Sequence, residues 1–172
     1  MPSPILYIFA GLPGSGKSTI AEEFAIRIHA VYIRIDTIEQ ALRDLCDVDV
    51  QGEGYGLAHR IAADNLRAGN NVIADSCNPI TLTREGWQAV ALEQGLQFQN
   101  IEAICSDSAE HRRRVEERHV SVPGLALPTW QQVIDREYHK WNVDRLVVDT
   151  AGRTVKDCVD DLLARLSIRV GT

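Results

Sequence analysis

Ile5-Leu6-Tyr7-Ile8-Phe9-Ala10-Gly11-Leu12-Pro13-Gly14-Ser15-Gly16-Lys17-Ser18-Thr19-Ile20 opens the chain with an apolar run, a glycine-rich loop and the start of an amphipathic segment. The run is apolar at consecutive positions, the pattern of a strand buried on both faces. Ile20, Phe24 and Ile28 recur at four-residue spacing and mark one face of a helix. Between strand and helix, Gly11 to Ser18 fits G-x-x-x-x-G-K-[ST]. The succession of strand, glycine loop and helix places the chain in the α/β class.

The spacing carries chemistry. Glycines let the backbone turn sharply with its N–H groups inward, so the loop and the helix N-terminus can cradle a phosphate chain. On this reading Gly11, Leu12, Pro13, Gly14, Ser15 and Gly16 supply the cradle, and Lys17 meets the β- and γ-phosphates. The Ser18 hydroxyl coordinates magnesium and Thr19 contacts the α-phosphate. The expected ligands are ATP and Mg2+.

Working outward, apolar runs at 5–10, 31–35, 71–74, 98–105 and 145–149 alternate with segments of helical period, which predicts βαβ units and five parallel strands. Helical stripes are expected at Leu57, Ile61 and Leu66 and at Val155, Val159, Leu162 and Leu166. Further helices are expected over 37–45, 81–94, 109–119 and 130–141, the last two bracketing a loop that contains Pro123, Gly124 and Pro128. With 172 residues, 45% of them hydrophobic, one core is the expectation, a single domain over 1–172 with a lid near 112–130. The 24 acidic and 18 basic residues leave a net charge of −6, which disfavours a nucleic-acid partner outside any local basic site. Four cysteines in neither zinc nor redox spacing, no signal-peptide pattern and no run of spanning length predict a soluble, cytoplasmic protein.

A strand-end carboxylate is the next requirement, because ligands of open α/β sheets sit beyond the carboxyl ends of strands. Asp36 ends the second run and is a candidate base for an attacking hydroxyl; it is equally placed to cap the following helix. Asp75 ends the third run and is the candidate magnesium carboxylate, through a coordinated water. Ser76 and Asn78 read as turn chemistry before Pro79 or as substrate contacts, and Cys77 as packing. In the charge run 111–119, Arg114 and Arg118 are four apart on one helical face next to the expected loop. They are candidates to stabilise charge on a transferring phosphoryl group.

Together these residues resemble the small P-loop kinases, in the branch that includes polynucleotide 5′-hydroxyl kinase, chloramphenicol phosphotransferase and zeta-toxin-type enzymes. The resemblance rests on 11–19, Asp36, Val72-Ile73-Ala74-Asp75-Ser76, the Arg84-x-x-Trp87 pair and the Arg114-x-x-x-Arg118 pair. It implies a three-layer fold with strand order 2-3-1-4-5 and helices on both faces. It also implies Asp36 as acceptor base, Arg114 and Arg118 on a lid over the phosphates, and adenine held near the loop 150–153, where Arg153 either stacks on the base or belongs to a polar turn.

The chain departs from the family pattern at Arg34, which stands where shikimate-kinase-like enzymes carry the first carboxylate of Asp-x-Asp, so shikimate is disfavoured. The expectation is therefore phosphoryl transfer from ATP to a hydroxyl of a small molecule. A 5′-hydroxyl nucleic-acid kinase is the less favoured acceptor class, and the rival reading is a nucleotide-dependent switch without an acceptor. Asp44, Asp47, Asp49 and Glu53 make 44–53 acidic, which suits either a cationic acceptor or plain solvation.

Overall fold

The computed structural model describes residues 3–119 and 121–168. Met1, Pro2, Val120 and 169–172 lie outside the described residues, so the ends of the expected 1–172 domain and one position of the expected lid are not characterised.

Strand β1 (Ile5–Ala10) is buried at five of its six positions because it lies in the middle of the sheet. It pairs in parallel with β3 (Val72–Asp75) on one side and β4 (Gln97–Ile104) on the other. Strand β2 (Val31–Arg34) pairs with β3 and β5 (Leu146–Asp149) pairs with β4, both in parallel, giving the order 2-3-1-4-5. The period of two along each strand divides the core. Tyr7, Phe9 and Ile73 face α1 (Lys17–Ile28) and α7 (Val155–Arg165), and Phe24 meets Tyr7 edge-on at 5.2 Å. Leu6, Ile8, Val72 and Ala74 face α3 (Glu53–Arg67) and α4 (Thr81–Leu92). This is the three-layer architecture expected. Among the described residues no helix is long and apolar enough to cross a membrane.

Several expected elements differ in detail. The second strand stops at Arg34, where its ladder on β3 reaches Asp75 and ends, and Ile35 already begins α2 (Ile35–Cys46). Asp36 is therefore in the first turn of a helix and not on a strand tip. The stripe expected on α3 is also displaced: Leu57 and Ile61 are 40% and 43% exposed, whereas Ala58, Ala62 and Leu66 are buried. Small side chains let α3 pack closely on the sheet. The helix expected over 109–119 is α5 (Ser108–Glu117), started by the Asp107 carboxylate accepting from the Ala109 and Glu110 amides. Arg118 is thus extended backbone beyond the helix and not one turn along it. The helix expected over 130–141 shortens to α6 (Trp130–Ile134). The chain beyond is tied instead to the start of α4 and to β4, through Arg84 to the His139 carbonyl and Tyr138 to Glu102.

All five strands run the same way, so their carboxyl ends open on one edge. The glycine loop follows β1 there, with Ile35 after β2, Ser76 after β3, Cys105 after β4 and Thr150 after β5.

Candidate active site

Leaving β1, the chain has φ +145° at Gly11, and a Cβ there would sit 2.3 Å from the Ala103 carbonyl oxygen. At Gly14, φ is +82° and a Cβ would meet Val115 Cγ2 at 2.5 Å, because the loop lies against α5. No other residue meets both demands. The loop is then held from outside. The Gly11 amide donates to the Cys77 carbonyl at 3.1 Å, the Thr150 hydroxyl donates to the Ser15 carbonyl at 2.9 Å, and His111 Nε2 lies 2.8 Å from the Pro13 carbonyl. Trp130 packs edge-on against the His111 ring at 5.1 Å. The loop conformation is therefore set by β3, β5 and α5 together.

At the start of α1, Lys17 Nζ donates to Asp75 Oδ1 at 2.6 Å and to Ser18 Oγ at 3.0 Å. Tyr32 Oη donates to Asp75 Oδ2 at 2.6 Å. Burial pushes the Asp75 carboxyl up, but the Lys17 ammonium and the hydrogen bonds from Lys17, Tyr32 and Ser18 outweigh it and hold it below the usual carboxylate range. The same burial, with the Asp75 charge, pushes the Tyr32 phenol well above its ordinary value. Ser18 and Asp75 thus present two hard oxygen donors side by side, sharing the Lys17 ammonium. Among the described residues no group of three or more His, Cys, Asp or Glu forms a metal cage. A magnesium ion with one or two protein oxygens and the rest from phosphates and water fits that donor set.

One cavity of about 850 Å³ runs along this edge from the β5 side to the β2 side. Lys17, Ser18 and Thr19 line its middle. At one end Arg153 donates to the Asp149 and Asp157 carbonyls at 3.3 and 3.0 Å, with Thr150, Val155 and Cys158 alongside. At the other, Asp36 is 43% exposed and lies 3.7 Å from Arg34. The capping alternative for Asp36 is excluded, since Arg34 holds the N-cap position and no side chain caps that end. Arg114 reaches the cavity from α5, fixed by Thr150 Oγ1 at 2.7 Å and Glu110 at 2.6 Å. Arg118 also lines it; among the described residues it has no ion pair, burial lowers its affinity for a proton and the Asp36 carboxylate raises it. Residues 121–128 close over the top onto α2: Arg34 donates to Ser121 Oγ at 3.0 Å, and a Cβ on Gly124 would strike the Gln40 amide at 2.8 Å.

The AAA domain family model matches residues 6–136, from β1 to just past α6. The chain belongs to this AAA domain family. No curated protein matches it. Solved structures share the fold of this AAA domain chain. APS kinase CysC of Mycobacterium tuberculosis in complex with AMPPNP and APS is 18% identical, aligned over 97% of this chain and 99% of that one with a TM-score of 0.70. A tunicamycin resistance protein of Deinococcus radiodurans is 17% identical over 99% of each, TM-score 0.67. A gluconokinase of Sinorhizobium meliloti is 17% identical over 97% of this chain and 94% of that one, TM-score 0.63. The fold is that of the small P-loop kinases.

In the AAA domain chain, Lys17, Ser18, Thr19, Asp36, Arg114, Arg118 and Arg153 line one cavity, and Asp75 sits directly behind Lys17. Arg84 and Trp87 do not reach it: Arg84 is buried against Tyr138 and Trp141, and Trp87 donates to Ser76. Ser76 and Asn78 are buried, Asn78 donating to the Phe9 carbonyl, so both serve the turn. Cys77 lines the cavity, its thiol pushed up by burial. Tyr32, Arg34, Glu39, Arg43, His111 and Arg136 belong to the site or its support without a motif that marks them as such in the sequence. The only signal for Tyr32 is its parity with Ile73 and Asp75 on the α1 face of the sheet.

Proposed function

We propose that this protein is a kinase that uses ATP with Mg2+ and transfers the γ-phosphoryl group to a hydroxyl of a small molecule. The carrying observation is that the Asp36 carboxylate shares one cavity with the P-loop lysine, Lys17, and with Arg114 and Arg118. The amides of Gly14 and of 16–18 bind the triphosphate, with Lys17 leaving Asp75 for the β- and γ-phosphates and Thr19 at the α-phosphate. Magnesium, when bound, neutralises charge on the phosphates, and Ser18 with Asp75 are the side chains that would hold it. Arg153 lies on the base side, on the loop that follows β5.

Asp36 accepts the proton of the acceptor hydroxyl while its oxygen bonds to the γ-phosphorus and the bond to ADP breaks. Arg114 and Arg118 donate to the oxygens of the transferring group, and 121–128 excludes water that would otherwise take the phosphoryl. The acceptor shares the cavity of about 850 Å³ with the nucleotide, which suits a small molecule.

The test is Asp36→Asn, with nucleotide affinity and transfer measured separately. The variant is expected to bind Mg·AMPPNP as the wild type does, by calorimetry, and to lose about 10²–10⁴-fold in kcat for γ-phosphoryl transfer. Lys17→Ala is expected to abolish the nucleotide affinity. Unchanged turnover in Asp36→Asn, with ATP hydrolysed at one rate whatever alcohol is supplied, would establish the switch instead.

A further inference from the structure

The β2 end of the cavity carries guanidinium groups for which phosphoryl transfer from ATP has no use. Arg34, Arg43 and Arg136 line it together with Asp36 and Glu39. Glu39 is committed to Arg43 at 3.5 Å, and burial raises its carboxyl toward the neutral form. Arg34 is only loosely countered. Its head group donates to Ser121 Oγ at 3.0 Å but is 3.7 Å from Asp36 and 3.8 Å from Asp75, both beyond hydrogen-bond length, and its Nε is buried with no hydrogen-bond partner. Arg136 has no ion pair among the described residues. Arg136 lines the same cavity as Cys77 and the Asp36 carboxylate.

A buried donor left without a partner, as at Arg34 Nε, is costly unless a ligand completes it, and guanidinium groups are matched by planar or tetrahedral oxyanions. The acidic stretch at 44–53, which from sequence suited a cationic acceptor, does not line the cavity. Asp44 is turned to Gln40 at 2.8 Å, and Asp47 and Glu53 are exposed.

We infer that the acceptor is an anionic alcohol, whose carboxylate, sulfate or phosphate ester is held by Arg34 and Arg136 with Arg43 at the rim, so that its hydroxyl reaches Asp36. This rests on the kinase reading, since it names that kinase's second substrate. The anion fixes the far end of the acceptor and the carboxylate takes the near end, which sets the distance between charge and hydroxyl that the site will accept.

The test saturates the P-loop with Mg·AMPPNP and then titrates matched probes, following the thermal midpoint and the heat of binding. The pairs are glycerol 3-phosphate against glycerol and gluconate against sorbitol, with sodium sulfate as the bare anion. At least one anionic probe is expected to raise the midpoint beyond that of the nucleotide complex while its neutral partner does not. Arg136→Gln, at an exposed position where folding is not at stake, and Arg34→Gln are each expected to weaken that probe about tenfold or more, the loss of a charge-assisted contact. The phosphate and carboxylate arms tell which oxyanion is preferred. A neutral alcohol that outbinds its anionic partner, no response to any anion, or an anion response unchanged in both variants overturns the inference. Absence of Mg·AMPPNP binding in the wild type is a different result and overturns the kinase reading itself.

Discussion

Asp75 has no exposed surface on its side chain, yet it carries a full set of donors: the Lys17 ammonium on one oxygen and the Tyr32 hydroxyl on the other. A carboxyl whose pKa is depressed by folding contributes stability above its unfolded value, near 4, and loses that contribution as pH falls through the folded value. Removing one donor should therefore cost most at neutral pH. Tyr32→Phe is expected to lower stability by about 1.5–3 kcal/mol at pH 7, the range for a hydrogen bond to a charged group. The deficit should shrink as the solution is acidified below about pH 4, where the unfolded carboxyl is already protonated. Urea denaturation at a series of pH values decides it, because a deficit that stays constant on acidification would assign Tyr32 a packing role alone. Lys17 and Ser18 could be read from the sequence because the motif spacing names them, whereas the strand end expected at Asp36 is the first turn of α2. Tyr32 and Arg34 could not, because their side chains meet Asp75 only through the pairing of β2 with β3.

Elements were legible where hydrophobic period and burial agree, as in β1 and α1, and less so where polar groups do the packing. On α3 the bulky Leu57 and Ile61 suggest the buried face, but Ala58 and Ala62 occupy it, since the helix lies too close to the sheet for longer side chains. Beyond α6 the aromatic residues Tyr138 and Trp141 suggest more helix, whereas both rings pack against a buried arginine. The Arg84 guanidinium is 4.0 Å above the Trp141 ring and 5.0 Å from that of Tyr138, and it donates to the carbonyls of Asn78, Pro79 and His139. It is thus the pin that joins the turn after β3 to the irregular segment carrying Arg136. Arg84→Met keeps much of the volume but leaves the Asn78 and His139 carbonyls without their donor, the Pro79 carbonyl keeping the His139 amide, and should cost about 3 kcal/mol. Arg84→Lys is expected to recover little, because an ammonium lacks the planar fork that stacks and divides its donors. Limited proteolysis should then cut within 135–145 in both variants at a protease level that leaves the wild type intact. Cleavage elsewhere first would remove Arg84 from this role.

Over the whole molecule, the charge of the surface and the charge of the site have opposite signs. The chain carries a net −6, whereas the cavity is lined by seven Lys and Arg side chains against three carboxylates. Composition alone counts against anionic ligands, and only folding, by gathering Lys17, Arg34, Arg43, Arg114, Arg118, Arg136 and Arg153 along one sheet edge, makes a positive site within an acidic protein. A concave wall of one sign concentrates field lines and so raises the local concentration of opposite charge. Those residues line the cavity itself, while the acidic remainder is spread over the surface and is screened over about 10 Å at 0.1 M ionic strength. Added salt should therefore weaken capture more than chemistry. Between 0.05 and 0.5 M KCl the KM for Mg·ATP is expected to rise severalfold, with kcat changing by less than about twofold, since buried or partly buried groups are screened much less than exposed ones. A steady-state salt series at fixed free magnesium measures both. A KM that is flat or falls with salt would mean that the acidic surface, and not the arginine-lined edge, sets the potential an approaching nucleotide meets.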